Sequence, residues 1–378
     1  MRVLHLGAGN IYGGIERALV SYAAGRFSCK EMSPEFAICF SGRFESELKA
    51  EGVEVTVLGS VRLSRRHSVS AARRRLSELF TYRRPDVVVT HGPWVHSVFA
   101  PIVRAAGLPL ALFIHNPLGL HWLDLVARRL TPDLIIVNSR FTLHESRWWI
   151  GRVPSAVCTY PFGEIKSIDR DLARAALNIG PETVLILQAS RLDPYKGHRL
   201  HLEALARVGL DFAWHALFVG SAQPAREGYA RSLETLRDTL GLAKRVEFLG
   251  HRSDIAELMT AADIFCHPNI GPEPFGMVFV EAMLAGLPVV ATQMGGAEEI
   301  LCDGGGLLVA PKRPPLARAL RRLIANREER EAMGRKGQEI AKQRYTMKSA
   351  TDGLAAALSQ LTHRALGGNR AEGDNAWV

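Results

Sequence analysis

The chain has 378 residues, 47% of them hydrophobic and 22% charged, with a formal net charge of +9. That length exceeds the usual size of a single core and predicts two domains, while the composition excludes a disordered or fibrous chain. Five cysteines lie without C-x-x-C spacing and an odd number cannot all pair, so reduced thiols in a cytosolic compartment are expected rather than a disulfide framework.

The amino terminus runs directly into a strand-like pattern, with no apolar leader and cleavage site. No apolar run approaches the roughly 18 residues that a membrane-spanning helix needs. Strand-like runs then alternate with amphipathic stretches throughout, the pattern of an α/β doubly wound parallel sheet. In the first half, strands are predicted at Val3–Leu6, Phe36–Phe40, Val53–Leu58, Val87–Thr90, Leu110–Ile114 and Leu134–Val137. In the second half they are predicted at Val184–Gln188, His215–Val219, Val246–Leu249, Ile264–His267, Val289–Ala291 and Gly306–Val309. Helices are predicted over Ile15–Gly25, Arg199–Val208, Ala225–Leu240, Phe279–Ala285 and, last, Thr346–Leu361. Pro161 and Gly163 break the periodicity near Tyr160–Asp171. The expected division is therefore 1–165 and 166–345 as two domains, 346–366 as a helix returning to the first, and 367–378 as a frayed tail.

Most of the positive excess falls in the first half and is densest between Arg62 and Arg84. Such a stretch suits an anionic membrane surface, and equally a solvated helical face. No nucleic-acid recognition motif accompanies it, so no nucleic-acid partner is expected. The expected setting is cytoplasmic, with the inner face of the membrane as the place this stretch would touch.

Open parallel sheets bind ligands beyond the carboxyl ends of their strands. The first loop of that kind is Gly7-Ala8-Gly9-Asn10-Ile11-Tyr12-Gly13-Gly14, where glycines let the backbone approach an anion at a helix N-terminus. Its spacing is not the dinucleotide fingerprint, and a Gly-rich turn without ligand reads the same way. The second is Ser190-Arg191-Leu192-Asp193-Pro194-Tyr195-Lys196-Gly197, in which Arg191 and Lys196 suit a diphosphate or are simply two surface cations. A cation about 4 Å from a phosphate charge contributes roughly 4 kcal/mol at an effective dielectric of about 20, enough for two of them to replace a metal ion. The third runs from Gly271 to Thr292. It carries Glu273 and Glu281, which suit sugar hydroxyls, with Glu281 alternatively capping its own helix.

The runs Glu273–Thr292 and Arg191–Gly197, with Gly295-Gly296-Ala297-Glu298-Glu299-Ile300 and the pair Gly13-Gly14, resemble glycosyltransferase family 4 in the right order over nearly the whole chain. The resemblance implies a GT-B fold, two Rossmann-like doubly wound domains facing a central cleft, and a retaining enzyme that uses a nucleotide diphosphate sugar, UDP- or GDP-linked. It implies that Arg191 and Lys196 hold the diphosphate with help from the backbone at Gly14. Glu281 would take the ribose, Glu273 with Phe275, Gly276, Met277 and Val278 the transferred sugar, and Gly250-His251-Arg252 the base. His115 matches the family's histidine beside the donor sugar, and His91 ends the preceding strand on the acceptor side, although an isolated strand-end histidine also reads as a structural one. The implied acceptor is a glycan or a lipid-linked molecule.

Ser190, Asn116 and the sequence Tyr160-Pro161-Phe162-Gly163 depart from the family pattern. No cofactor is expected. Asp169-Arg170-Asp171 has a spacing that other glycosyltransferases use for a metal, but it falls in the expected linker rather than at a strand end. The alternatives are a sugar-nucleotide epimerase, which needs no acceptor, or a non-catalytic binding subunit of the same fold.

Overall fold

The computed structural model describes residues 1–163, 168–209 and 211–366; the expected tail 367–378 lies outside them. The chain divides into two compact units, Met1–Gly163 with the described part of Tyr345–Val378, and Glu164–Arg344. The last helix, Met347–Leu366, therefore belongs to the first unit, where it packs on the helix Gly14–Ala24 and on the short 3-10 turn Gly25–Phe27.

In the first unit β1 (Arg2–Gly7), β2 (Ser33–Ile38), β3 (Val55–Val57), β4 (Val87–His91), β5 (Leu110–Ile114), β6 (Leu134–Val137) and β7 (Ser155–Val157) make one sheet in the order β3-β2-β1-β4-β5-β6-β7. In the second, β8 (Val184–Ala189), β9 (Trp214–Val219), β10 (Val246–Gly250), β11 (Ile264–His267), β12 (Val289–Thr292) and β13 (Gly306–Val309) are ordered β10-β9-β8-β11-β12-β13. All pairings are parallel. Helices cover both faces of such sheets, so the central strands are apolar runs rather than alternating ones. Every residue of β4, β5 and β8 is buried.

The strand order reverses between β1 and β4 in the first sheet and between β8 and β11 in the second. Those two switch points are where a doubly wound sheet leaves a crevice for a ligand.

Several boundaries differ from the sequence expectation for identifiable reasons. The predicted strand Phe36–Phe40 ends at Ile38 because the N–H groups of Cys39 and Phe40 both donate to the Ala8 carbonyl at 3.1 Å, leaving the ladder. The predicted Val53–Leu58 keeps only Val55–Val57, an edge strand whose one partner is β2. β7 was not predicted, since three half-exposed residues make no apolar run. Pro224 starts a 3-10 turn ahead of the helix Glu227–Thr239, which shortens the predicted Ala225–Leu240.

The amino ends of the strands are anchored by a device that the sequence reading missed. Asp86, just ahead of β4, accepts the N–H of Arg2 at 2.6 Å. Asp133, ahead of β6, accepts that of Leu110 at 2.9 Å, and Asp263, ahead of β11, that of Leu185 at 2.8 Å. In each case a carboxylate satisfies a donor at the start of a neighbouring strand, the first residue of β1 and β5 and the second of β8.

Asp263 is held in turn by Arg174, whose Nη1 donates to its Oδ2 at 2.9 Å while Nη2 donates to the Gly180 and Thr183 carbonyls, each at 2.6 Å. Arg170 adds a bond of 2.7 Å to Asp263 Oδ1. Both arginines stand on the helix Arg170–Ala176, which Asp169 caps by accepting the N–H groups of Asp171 and Leu172. Asp169-Arg170-Asp171 thus opens a helix instead of lying in a linker, and the Asp169 side chain is committed to that helix.

Arg174 is buried and its partner Asp263 largely so, and removing Arg174 leaves Asp263 with only the more exposed Arg170 as counter-charge and strips the Gly180 and Thr183 carbonyls of their donor. Arg174→Met is expected to cost about 3–5 kcal/mol of folding stability. Denaturant unfolding would read this directly, and a loss within experimental error would show that the pair does not anchor the sheet.

Candidate functional site

At the switch point of the second sheet, two loops meet. The loop after β8 carries Arg191 and Lys196, and the loop after β11 carries Asn269 and Glu273. Lys196 Nζ donates to Glu273 Oε2 in a close ion pair whose side chains are only 10% and 20% exposed. Asn269 Nδ2 donates to the same oxygen at 3.2 Å. A lysine so far out of water requires a partner, and the carboxylate supplies it.

Backbone contacts fix the approach of the loops. Ile270 N–H donates to the Tyr195 carbonyl at 2.8 Å, Thr292 Oγ1 to the Asn269 carbonyl at 2.6 Å, and Gln188 Nε2 to the Lys196 carbonyl at 2.9 Å. Gly197 has φ +72°, and a Cβ there would stand 1.7 Å from the Pro268 carbonyl oxygen, so only glycine lets these loops touch. The Gly295-Gly296 pair does the same on the far side. Gly296 N–H donates to the Glu273 carbonyl at 2.7 Å, and a Cβ at Gly295 would lie 2.3 Å from that oxygen.

The other expected residues of this unit sort by element. Phe275 is buried and Gly276, with φ +94°, caps the helix Met277–Leu284, whose first turn holds Met277 and Val278 and no acidic residue. Glu281 is half-buried one turn further on. Gly250 ends β10 with φ +66°, and its carbonyl accepts the Gly220 N–H at 2.8 Å. His251 and Arg252 are exposed. Arg252 Nε donates to Asp254 Oδ1 at 2.8 Å, and that pair holds the Asp254 carboxyl below its usual range. Arg191 is exposed, and among the described residues its guanidinium has no ion-pair partner.

In the first unit the Gly-rich loop differs from the expectation. The Gly13 N–H donates to Glu16 Oε2 at 3.0 Å, so a carboxylate occupies the N-terminus of the helix that Gly14 begins. Burial raises the pKa of Glu16.

His91 and His115 are buried in a chain of hydrogen bonds that starts inside β1. Asn138 Nδ2 donates to the His115 carbonyl at 2.9 Å and to the Tyr160 hydroxyl at 3.0 Å. The Tyr160 hydroxyl lies 2.7 Å from His115 Nδ1. His115 Nε2 is hydrogen-bonded to His91 Nδ1 at 3.0 Å, and His91 Nε2 to His5 Nδ1 at 3.0 Å. The chain ends at His5 Nε2, which is buried and has no partner among the described residues. Each ring thus carries one proton, and neither His91 nor His115 keeps a ring nitrogen for a ligand. Desolvation holds all three neutral, lowering His5 and His115 to about 3 and His91 well below its usual value.

The sequence reading missed His5, Asn138, Tyr160, Asn269, the buried His267, and the pair of Gln188 and His201, whose Oε1 and Nδ1 lie 2.8 Å apart. A polar residue inside a wholly apolar strand, as at His5, Gln188 and His267, was the available signal.

Of the eight arginines between Arg62 and Arg84, Arg73 donates to the Val98 carbonyl at 2.7 Å, Arg75 to that of Leu58 at 3.1 Å and Arg84 to that of Ala106 at 2.9 Å. Arg83 pairs with Glu54 at 2.9 Å. Arg62, Arg65, Arg66 and Arg74 remain as exposed side chains. Among the described residues no helix is long and apolar enough to cross a membrane.

Two doubly wound parallel sheets with loops gathered at their switch points define the chain as a GT-B protein. Residues 169–340 match the family described as glycosyl transferases group 1. HepE of Anabaena, solved in complex with UDP and with UDP-glucose, superposes on the chain with a TM-score of 0.83 at 28% identity, over 95% of this chain and 100% of HepE. A phosphatidyl-myo-inositol mannosyltransferase of Mycobacterium leprae is 44% identical over 168 residues, which are 43% of this chain and 42% of that protein. A D-inositol 3-phosphate glycosyltransferase of Geodermatophilus obscurus is 36% identical over 169 residues, 42% of this chain and 37% of that protein. The chain thus spans less than half the length of these curated relatives.

Buried histidines predict an acid limit on stability. An unfolded histidine titrates near 6.5, while burial lowers His96 and His198 to about 4 and His5, His115 and His201 to about 3. Below pH 6.5 the unfolded chain therefore binds more protons than the folded one, and stability falls as pH drops through this window towards the folded values. The denaturant midpoint is expected to decline between pH 6.5 and 4 with a slope of more than one proton. A flat profile there would refute the neutral rings.

Proposed function

We propose that the chain is a retaining glycosyltransferase of the family 4 type, moving a hexosyl unit from a nucleotide diphosphate sugar to a glycan or lipid-linked acceptor in cell-surface polysaccharide or glycolipid synthesis. The observation that carries this reading is the Lys196–Glu273 pair at the switch point of the second sheet. It sets a cation for a diphosphate directly against a carboxylate for a sugar. The match of residues 169–340 and the likeness to HepE, a protein that binds UDP and UDP-glucose, support a nucleotide sugar as donor.

In this reading Lys196 and Arg191 take the negative charge that develops on the departing diphosphate, and no metal is required. Glu273 and the backbone from Phe275 to Val278 hold the sugar, Glu281 holds the ribose, and Gly250, His251 and Arg252 border the base. The acceptor oxygen bonds to the anomeric carbon as the bond to phosphate breaks on the same face, and a phosphate oxygen accepts the acceptor's proton. With their ring nitrogens engaged, His91 and His115 contribute shape and ring edges on the acceptor side rather than proton transfer. Contact with an anionic membrane would fall to Arg62, Arg65, Arg66 and Arg74.

Turnover with a panel of UDP- and GDP-sugars tests the assignment. Arg191→Ala and Lys196→Ala should each lower it by about 100-fold or more, the scale of losing one charge-stabilising donor. Rates within a few-fold of the parent would overturn the reading, and a chelator that abolished turnover would remove its metal-free chemistry.

A further inference from the structure

Asn269 is 2% exposed and its side chain makes one bond among the described residues, from Nδ2 to Glu273 Oε2 at 3.2 Å. Its Oδ1 is buried and unpartnered. Leaving an amide oxygen dry is destabilising, typically by about 1–3 kcal/mol, so a residue kept there for folding alone would be apolar. The backbone of Asn269 does the structural part without the amide: its N–H donates to the His267 carbonyl at 3.1 Å and its carbonyl accepts from Thr292 Oγ1 at 2.6 Å.

Glu273 Oε2 has two donors, Lys196 Nζ and Asn269 Nδ2, whereas Oε1 has none among the described residues. Two donors on one oxygen turn the other towards a ligand. The donors differ in one respect that matters. The ammonium of Lys196 is attracted by any phosphate brought to this loop, and as it turns to that phosphate its hold on Glu273 weakens. The amide is neutral and feels no such pull.

We propose that Asn269 is a positioning residue that keeps the Glu273 carboxylate aimed at the donor sugar when Lys196 swings to the diphosphate. This rests on the donor-site reading given above. Asn269 matters little while the site is empty, because Lys196 alone orients the carboxylate, and it matters most with a nucleotide sugar bound. It adds nothing to diphosphate binding as such. The effect therefore falls on the sugar, in kcat and in the affinity increment that the sugar gives over the bare nucleotide diphosphate.

Two substitutions separate this role from a structural one. Asn269→Leu keeps the volume and removes both the donor and the orphan oxygen. Its Tm should be unchanged or higher, its Kd for UDP or GDP within about threefold of the parent, and its kcat for hydrolysis of the nucleotide sugar lower by about 10- to 100-fold, the scale of a misaimed group. Asn269→Asp places a second carboxylate against Glu273, and like charges raise the pKa of the pair, which donates a hydrogen bond only while it shares a proton. The titratable groups around it are Lys196 on the β8 loop and, behind that, His198 and His267, which burial holds neutral. Activity of Asn269→Asp relative to the parent should therefore fall as pH rises from 5 to 8, by about tenfold per unit above the pKa of the pair. A structural defect would lower it evenly at all pH values.

The measurements use the full chain with whichever of UDP-glucose, UDP-galactose, UDP-N-acetylglucosamine and GDP-mannose it turns over, and Glu273→Gln is run beside them. If Glu273→Gln loses activity while both Asn269 variants match the parent, the positioning role is wrong and the donor-site reading stands. If Glu273→Gln is also as active as the parent, or if none of the four sugars is bound or turned over, the reading falls and the inference with it. Loss of Tm together with weaker binding of the bare diphosphate in Asn269→Leu would assign Asn269 to the scaffold and overturn the proposal.

Discussion

The arrangement of the second unit turns on one electrostatic constraint: the Lys196 side chain is only 10% exposed and its ammonium must have a counter-charge, and Glu273 is where it finds one. To bring them together, the loop after β8 has to lie on the loop after β11. The features around them serve that contact. Gly197 removes the Cβ that would strike Pro268, Gln188 reaches from β8 to hold the Lys196 carbonyl, and Thr292 holds the Asn269 carbonyl from β12. Gly295 and Gly296 admit the backbone of Glu273 and Phe275 from the other side. The charged pair at this strand-order reversal is a structural tie between the two loops and, under the proposed function, the place where a ligand with both a phosphate and a sugar would come between its halves.

The first unit solves the equivalent place in its own sheet differently. At β1 and β4 it carries, among the described residues, a neutral chain that joins Tyr160, His115, His91 and His5, with one proton on each ring. Desolvation by burial in this dry interior lowers the pKa of all three histidines.

Opposite these chemically active ends, the sheets are held by carboxylates. Asp86, Asp133 and Asp263 each accept an N–H at the start of a neighbouring strand, and Asp263 is gripped by Arg170 and Arg174. Strand starts fixed in this way leave the carboxyl-end loops free to differ in sequence between proteins of one fold.

Much of this could be read from the order of residues. Apolar runs such as Leu110–Ile114 and Val184–Gln188, each separated by a helix-length interval, determine parallel strands with both faces covered, because no other arrangement hides both faces of such a strand. The positions of Arg191, Lys196 and Glu273 in loops after strands likewise placed the charged groups at carboxyl ends. What only the tertiary structure decided was pairing. Lys196 and Glu273 are 77 positions apart, His5 and His91 are 86 apart. Nothing local in the chain says that one carboxylate meets that ammonium, or that two strand-end histidines spend their ring nitrogens on each other. Local sequence sets which groups stand at a strand's end; the order in which strands lie side by side, fixed by the packing of the whole sheet, sets which of them touch.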